Sequence, residues 1–226
     1  QRTNSVRQLK DLGATIKNIK MLDRTVSLAS TPNNELRSFH VVHGPYHLVT
    51  NSRSIAERFI RVCEGEPSLG ASDGFRNARK HYPGSKYNTV FTYVSPADLH
   101  GLVSPPYQVE LRRRLMAITQ MELVNMAHLA AIHEGKPHDT VEQLHESGLL
   151  PTFFESRADG SRILKQKGQF VDSLRGARGR FLPIPDVPIN GITPQELATL
   201  EEVQDYHERS WSQIDPLVLE MKRAPL

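Results

Sequence analysis

The 226-residue sequence contains one cysteine, Cys63, which excludes an internal disulfide. No apolar run reaches the roughly 20 residues that a membrane helix needs, because a charged residue interrupts every window of that length. We therefore expect no membrane insertion. The charge excess is small, 28 Lys and Arg against 25 Asp and Glu, and is no signature of nucleic-acid binding. These absences leave the compartment open, because large secreted domains also fold without disulfides.

The composition is that of a folded chain. A hydrophobic fraction of 38% and a charged fraction of 23% are typical of soluble globular proteins and exclude disorder of the whole chain. A chain of this length buries roughly 70% of its unfolded surface, so it needs no metal or disulfide for stability. Because the sequence begins at Gln1 without an initiator Met, we expect a piece of a longer protein.

Short β-type runs separated by turn residues predict an antiparallel meander over residues 18–50, with strands at 25–31, 36–42 and 46–50. Two helices are predicted next, from Ser54 to Gly65 and from Ser72 to Tyr82. Helical spacing places Cys63 on the core side of the first, where we expect an inert buried thiol. Residues 88–95 are rich in β-branched and aromatic residues and predict a central strand.

A proline-led helix is predicted after Ser95, and a long one over residues 107–134, which contain no Pro or Gly. Its apolar residues form a stripe wide enough to meet two neighbouring elements. The residues at helical spacing are Leu111, Leu115, Ile118, Met121, Val124, Leu129 and Ile132, with Met116, Leu123 and Met126 beside them. A short helix is predicted from Thr140 to Gly148, because Thr140 and Gln143 have capping-box spacing.

The segment 151–192 is rich in Gly, Arg, Asp and Pro and predicts an extended or looping arm, with a turn at 158–161 that could join two strands. Thr193, followed by Pro194 and by Glu196, predicts a closing helix over 193–216. Its core-facing residues are expected to be Leu197, Leu200, Val203 and Trp211. Residues 217–219 predict a strand with an unpaired edge.

This order of elements predicts an α+β fold with a mainly antiparallel sheet, helices packed on one face, one long helix and an irregular arm rich in Gly, Pro and Arg. We expect a single domain over residues 1–226. Residues 18–150 form its compact core, residues 151–192 the arm and residues 193–216 the closing helix.

Several short motifs resemble a module found in large uncharacterised bacterial proteins of planctomycete type. They are residues 47–52 (HLVTNS), 59–60, 64–65, 68–69, 75–76, 82–83 and 89–91, together with residues 172–185 (DSLRGARGRFLPIP). The resemblance extends over residues 23–216 and implies an interior segment of a longer, exported protein. It implies no chemistry, so no functional residue is taken from it.

The leading candidate site is the basic loop of residues 175–180. Three guanidinium groups on a glycine-rich backbone are suited to phosphate, sulfate or carboxylate groups, and glycine lets backbone N–H groups approach the same anion. Alternatively, the arginines pair with acids of the same chain, such as Asp172 or Asp186, and hold the arm in place. The candidate anion-binding residues are Arg175, Gly176, Arg178, Gly179 and Arg180.

Other chemistry has weaker support. His40, His43 and His47 lie close in sequence, but no Cys pair or metalloprotease motif accompanies them, so we expect no metal and no cofactor. The three arginines at 112–114 fan over about 200° of a helix and cannot form one patch, which argues against nucleic-acid binding. No catalytic residues can be assigned.

The sequence therefore predicts a non-catalytic structural or protein-interaction domain of a larger bacterial protein. Its expected partners are other segments of that protein or a separate protein. The alternative is a module that binds a polyanionic glycan, phosphate or nucleic acid through the 175–180 loop. A third hypothesis, a metal-dependent hydrolase, would use the histidines at 40, 43 and 47.

Overall fold

The computed structural model describes residues 7, 11–32, 36–85, 88–102, 104–154, 157–178, 180–210 and 214–223. They form a mixture of helices and antiparallel sheets, which confirms the α+β class. The chain divides into two compact units, residues 1–60 with 109–193 and residues 61–108 with 194–226. This differs from the single domain expected from sequence. The 151–192 segment belongs to the unit that holds the meander and most of the long helix, rather than forming an arm.

The first unit contains the predicted antiparallel meander, with four strands where the sequence predicted three. Its strands in spatial order are β1 (Thr15–Met21), β2 (Arg24–Ser30), β3 (Arg37–His43) and β4 (Tyr46–Thr50). The strand pattern of β1 is weak in the sequence because most of its residues are polar or exposed, and Met21 alone is buried in it. One sheet face carries Phe39 and Val41, which pack with Ala56 and Ile60 of helix α1 (Arg53–Cys63). Cys63, at the end of α1, is partly buried.

The amino end of α1 is held by a carboxylate distant in sequence. The Asp186 side chain accepts hydrogen bonds from the backbone N–H groups of Arg53 (2.7 Å) and Ser54 (2.9 Å) and from the Ser52 hydroxyl (3.0 Å). It also forms an ion pair with Arg37. A negative charge at this end complements both the free N–H groups and the helix dipole. The predicted cap at Ser54 is therefore wrong, and Ser52, which accepts from the N–H of Ile55, caps the helix.

A second core lies beneath the long helix. Helix α4 (Pro105–His133) packs against the short helix α5 (Val141–Glu146) and a hairpin of β6 (Ile163–Gln166) and β7 (Gln169–Asp172). The buried residues of this core include Val124, Ala127, Ala131, Leu144, Phe170 and Val171. Helix α4 begins two residues before its predicted start, since proline is tolerated in a first turn where N–H groups have no helical acceptor.

The hairpin corrects the prediction of an irregular arm. Its turn is Lys167–Gly168, both with positive φ (49° and 81°), as a two-residue hairpin turn requires. The turn expected at 158–161 does form, with the Arg157 N–H donating to the Ser161 carbonyl at 2.9 Å, but it precedes β6 and joins no strands.

The second unit contains α2 (Asp73–His81), α3 (Pro96–Leu102), α6 (Pro194–Ser210), β5 (Asn88–Val94) and β8 (Leu217–Lys222). Within the described residues β5 pairs with β8 alone, so the predicted central strand is half of a two-stranded ribbon. Phe75 of α2 packs edge-on against Tyr93 with ring centroids 5.3 Å apart. In α6, Leu200 is buried as predicted, but Leu197 is exposed. Trp211 lies outside the described residues.

Helix α4 is apolar around most of its circumference. Among the described residues it is long and apolar enough, by length and composition, to cross a membrane. The core helix of a soluble protein meets the same criterion, and α4 carries Glu110, Arg113 and His128 on its buried face. Composition alone therefore does not make α4 a membrane span, and the absence of membrane insertion stays a prediction.

The Asp186 contact generates a stability prediction. Replacing a buried, paired carboxylate leaves its partners unsatisfied, so we expect Asp186→Asn to lower the free energy of unfolding by about 3 kcal/mol at pH 7. Burial raises the pKa of Asp186, but hydrogen bonds from Ser54, Arg53 and Ser52 outweigh it and the net pKa is lowered. This contribution is therefore complete above about pH 4 and disappears as the pH falls through the lowered value.

Urea unfolding at pH 7 and at pH 3 measures both effects, and the difference between wild type and variant should shrink at the lower pH. The control is Asp73→Asn, which removes an exposed carboxylate paired with Arg76 at 2.7 Å. An exposed pair contributes less than about 1 kcal/mol. Equal losses in the two variants would contradict the assigned role of Asp186.

Candidate functional site

The predicted anion-binding residue Arg175 lies in the protein interior, with 1% of its surface exposed. Its guanidinium group donates from Nε and Nη2 to the two carboxylate oxygens of Glu110 on α4, both at 2.9 Å. Nη2 also donates to Asp159. This bidentate geometry is the one that arginine would offer an external anion, but here internal carboxylates occupy it.

Further ion pairs extend this contact into a buried network. Asp172 accepts from the backbone N–H groups of Leu174 (2.9 Å) and Arg175 (2.6 Å), and it forms an ion pair with Arg157. Arg113 lies 3.7 Å from Asp159 and donates to the Gly191 carbonyl at 2.7 Å. We call the following set the buried ion-pair network: Glu110, Arg113, Arg157, Asp159, Asp172 and Arg175. It contains three guanidinium groups and three carboxylates, and Glu110 also pairs at 2.9 Å with a fourth, partly exposed arginine, Arg114.

The pKa shifts in the network favour the ionised forms of its side chains. Burial opposes ionisation of Asp159, but hydrogen bonds from Ser161 and Arg175 outweigh burial and lower the pKa of Asp159 below its usual value. Burial likewise opposes the charge on Arg175, and the hydrogen bonds to Glu110 and Asp159 reverse the effect and raise its pKa. Groups whose pKa values are shifted in these directions stay charged near neutral pH and are not suited to proton transfer.

The other predicted loop residues do not converge on one point. The N–H of Gly176, whose φ is 86°, donates to the Asp172 carbonyl at 2.9 Å, so this N–H is not available to an anion. Arg178 is exposed and forms an ion pair with Glu122 of α4. The N–H of Arg180 donates to the Ala177 carbonyl at 2.9 Å and its side chain is exposed. Gly179 lies outside the described residues.

The three histidines at 40, 43 and 47 do not converge in the structure. His40 Nε2 lies 3.3 Å from His47 Nδ1 on the exposed face of the meander. Alternation along β3 places His43 on the opposite face, where its ring nitrogen lies 2.8 Å from Arg24 Nη1. The part of the chain that the structure describes contains no group of three or more His, Cys, Asp or Glu residues suited to hold a metal ion.

Sequence analysis predicted the apolar residues of α4 to meet two neighbours, but much of that surface is exposed. Met121 and Val124 are buried, whereas Leu115 is 59%, Met126 67% and Leu129 61% exposed. Together with Leu111 and Ile118 these three exposed residues lie along one side of the helix. We call Leu111, Leu115, Ile118, Met126 and Leu129 the apolar stripe.

An open groove of about 490 Å³ runs beside the stripe, between α4 and the segment containing β7. Its apolar lining comes from Met121, Met126, Leu129, Phe170 and Ala177, and its polar lining from Glu122, Asn125, Gln169 and Arg178. The side-chain amide of Asn125 exchanges two hydrogen bonds with the backbone of Phe170, each 2.9 Å long. The groove therefore offers mainly apolar surface.

Comparison of the chain with known protein families, curated proteins and solved structures finds no match. The function must therefore be argued from the network, the stripe and the groove.

Two of the three loop arginines, Arg175 and Arg178, should differ in how much stability their substitution costs. Arg175→Ala removes the bidentate partner of Glu110 and the nearest cation of Asp159, and leaves these buried carboxylates with Arg114 (2.9 Å) and Arg113 (3.7 Å) as their cations. We therefore expect the free energy of unfolding to fall by about 3 kcal/mol. Arg178→Ala removes an exposed ion pair and should cost less than about 1 kcal/mol. Denaturant unfolding of both purified variants measures the difference. A small loss for Arg175→Ala would contradict its structural role.

Proposed function

We propose that this chain is a non-catalytic interaction domain of a larger bacterial protein and binds another polypeptide through the apolar stripe of α4. The observation that carries the proposal is the exposure of Leu115, Met126 and Leu129 beside an apolar groove. Contiguous exposed apolar surface with a polar edge is typical of protein-interaction sites.

The chemistry of the groove favours a polypeptide partner. Small-molecule sites place a few unsatisfied polar groups among apolar walls to fix the orientation of a ligand. Here the Asn125 amide is bound to the Phe170 backbone and Glu122 is paired with Arg178, so Gln169 is the one other polar residue among those that line the groove. An elongated apolar surface of this kind instead suits the apolar face of a partner helix, whose side chains enter the groove at helical spacing.

The buried ion-pair network has a supporting role in this proposal. Its arginines and carboxylates pair with one another inside the protein, although Arg113 Nη1 and Arg157 Nε are buried without a hydrogen-bond acceptor among the described residues, and Arg175, the central cation, has almost no exposed surface. It joins α4 to the segment of residues 157–175, which suits a structural element better than a reaction centre. The resemblance to planctomycete-type modules supports placing the domain inside a longer bacterial chain.

The interaction proposal predicts that the apolar stripe is not needed for folding. We expect the triple variant Leu115→Gln, Met126→Gln, Leu129→Gln to keep the thermal unfolding midpoint of wild type within about 3 °C, because exposed sites away from a core change stability little. The fluorescence of bis-ANS, a dye that binds exposed apolar surface, should be high with dilute wild type and several-fold lower with the variant.

The matched control replaces three exposed apolar residues that lie off the stripe, Ile55, Leu69 and Leu197, by Gln. This variant should keep the dye signal of wild type. Unfolding of the stripe variant would show that the stripe belongs to the folding core, and dye binding unaffected by its loss would exclude it as the exposed apolar site. Either result overturns the proposal.

The alternative function, anion binding through the 175–180 loop, predicts a different response. A ligand at 100 times its dissociation constant stabilises a protein by about 2.7 kcal/mol, which a thermal melt detects as a shift of several degrees. Because Arg175 is occupied internally, we expect no shift with phosphate, sulfate or heparin at low salt. A salt-sensitive shift that Arg178→Ala and Arg180→Ala abolish would instead support the anion-binding module.

A further inference from the structure

The apolar stripe is nearly symmetric about its centre. Leu115 and Leu129 lie seven residues before and after Glu122, and Ile118 and Met126 lie four residues before and after it. In two antiparallel helices that cross at Glu122, residues equidistant from the centre face each other. Leu115 of one copy would therefore face Leu129 of the other, and Ile118 would face Met126. A twofold interface requires this kind of self-complementary surface.

We propose that the chain forms a twofold-symmetric dimer in which the α4 helices of two copies pack antiparallel along their apolar stripes. This inference rests on the proposed function, because it names the polypeptide that the stripe binds. The spacing of the stripe supports it. The alternating three- and four-residue steps of a coiled-coil seam pass through Leu111, Leu115, Ile118, Glu122, Asn125, Leu129 and Ile132, so five of the seven seam positions are apolar and the other two, Glu122 and Asn125, are polar.

The central charge of the stripe is compatible with this arrangement. Glu122 is the one charged residue in the sequence from Leu115 to Ile132, and Arg178 of the same chain neutralises it. Near a twofold axis two Glu122–Arg178 pairs would meet, and each glutamate would contact the arginine of the other copy. Complementary charges at the centre fix the register of the two helices, and a helix shifted along its partner would bury Glu122 against apolar residues.

The size of the stripe fits a reversible dimer. From Leu111 to Ile132 the helix extends about 32 Å at 1.5 Å per residue. The exposed apolar side chains along it amount to on the order of 600 Å² per copy, against the roughly 800 Å² that each partner of a standard interface buries. Such an area lies at the low end for specific complexes, so we expect a dissociation constant in the micromolar range.

Sedimentation velocity of the purified chain between about 1 and 200 µM tests the dimer, since this range brackets a micromolar dissociation constant. Wild type should change from the 25.5 kDa monomer to a species of twice that mass as the concentration rises. The double variant Leu115→Glu, Leu129→Glu should weaken association at least 20-fold, because it places facing carboxylates in the seam. The control Leu123→Glu, a 46% exposed site on another side of α4, should associate like wild type within threefold.

Disulfide trapping tests the direction of the helices. In a Cys63→Ser background, Glu122→Cys should cross-link to itself, because the twofold axis passes near this residue. Leu115→Cys alone should not, because its own counterpart lies about 21 Å away along an antiparallel helix, beyond disulfide reach. A mixture of Leu115→Cys and Leu129→Cys chains should cross-link. Self-cross-linking of Leu115→Cys would overturn the antiparallel arrangement.

The two proposals fail in different ways. If wild type stays monomeric at every concentration while the stripe still binds bis-ANS, the dimer is wrong and the interaction face remains, with a different polypeptide as its partner. If wild type is monomeric and the stripe binds no dye, both proposals fail. If Leu123→Glu abolishes association as strongly as the paired glutamates do, the dimer uses a surface other than the stripe.

Discussion

The guanidinium group of Arg175 is fully buried, so the fold must supply carboxylates around it, and Glu110 supplies both of its oxygens. A buried ion that loses its partner costs several kcal/mol, so this contact constrains both chain segments that make it. One of them is α4 and the other follows the β6–β7 hairpin. Arg113, one helical turn after Glu110, lies near Asp159 in the same network. These two contacts fix which side of α4 faces inward.

The residues of α4 that face the protein interior also determine which of its residues face solvent. At 3.6 residues per turn, a helix that directs Glu110 and Arg113 inward directs Leu115, Met126 and Leu129 away from them. The apolar stripe is therefore exposed because of the ion pairs on the other side of the helix. Helix α4 is apolar around most of its surface, and hydrophobic burial is not directional. Without these ion pairs, burial alone would therefore favour no single orientation of α4. The polar contacts thus determine the orientation, although burial of Val124, Ala127 and Ala131 contributes apolar stabilisation to the same interface.

The sequence predicts the local features well and the distant contacts poorly. The meander follows from strand periodicity, and the start of α5 follows from the capping box between Thr140 and Gln143, which the structure confirms. By contrast, the true partner of the α1 amino end is Asp186, more than 130 residues away. No local pattern contains that information. The hairpin at Lys167–Gly168 was missed because its turn lacks the usual Asn-Gly or Asp-Gly pair and lies among residues whose composition resembles a loop.

In the candidate site, too, the contacts between residues distant in sequence were not predicted. The sequence indicates the arginines at 175–180 but is compatible both with binding of an external anion and with pairing to acids of the same chain. In the structure, Arg175 forms ion pairs with Glu110, Asp159 and Asp172, and Arg178 forms one with Glu122. The pairing of Arg175 with Asp172 was among those expected from the sequence. The pairing with Glu110 could not be, because the two residues are 65 positions apart. The sequence also does not predict which side of α4 is buried, because apolar residues on nearly every side of the helix give no periodic signal.

The basic loop therefore contacts the long helix on two sides. Arg175 neutralises Glu110 on the buried side of α4, and Arg178, three residues later, neutralises Glu122 on the exposed side. The first contact has almost no access to solvent, and the second is open to it. Because exposed pairs contribute little to stability, the pairing of Arg178 with Glu122 matters less for the fold than for the surface. It removes the net charge from the centre of an otherwise apolar stripe, and an apolar partner can cover that stripe without burying an unpaired ion.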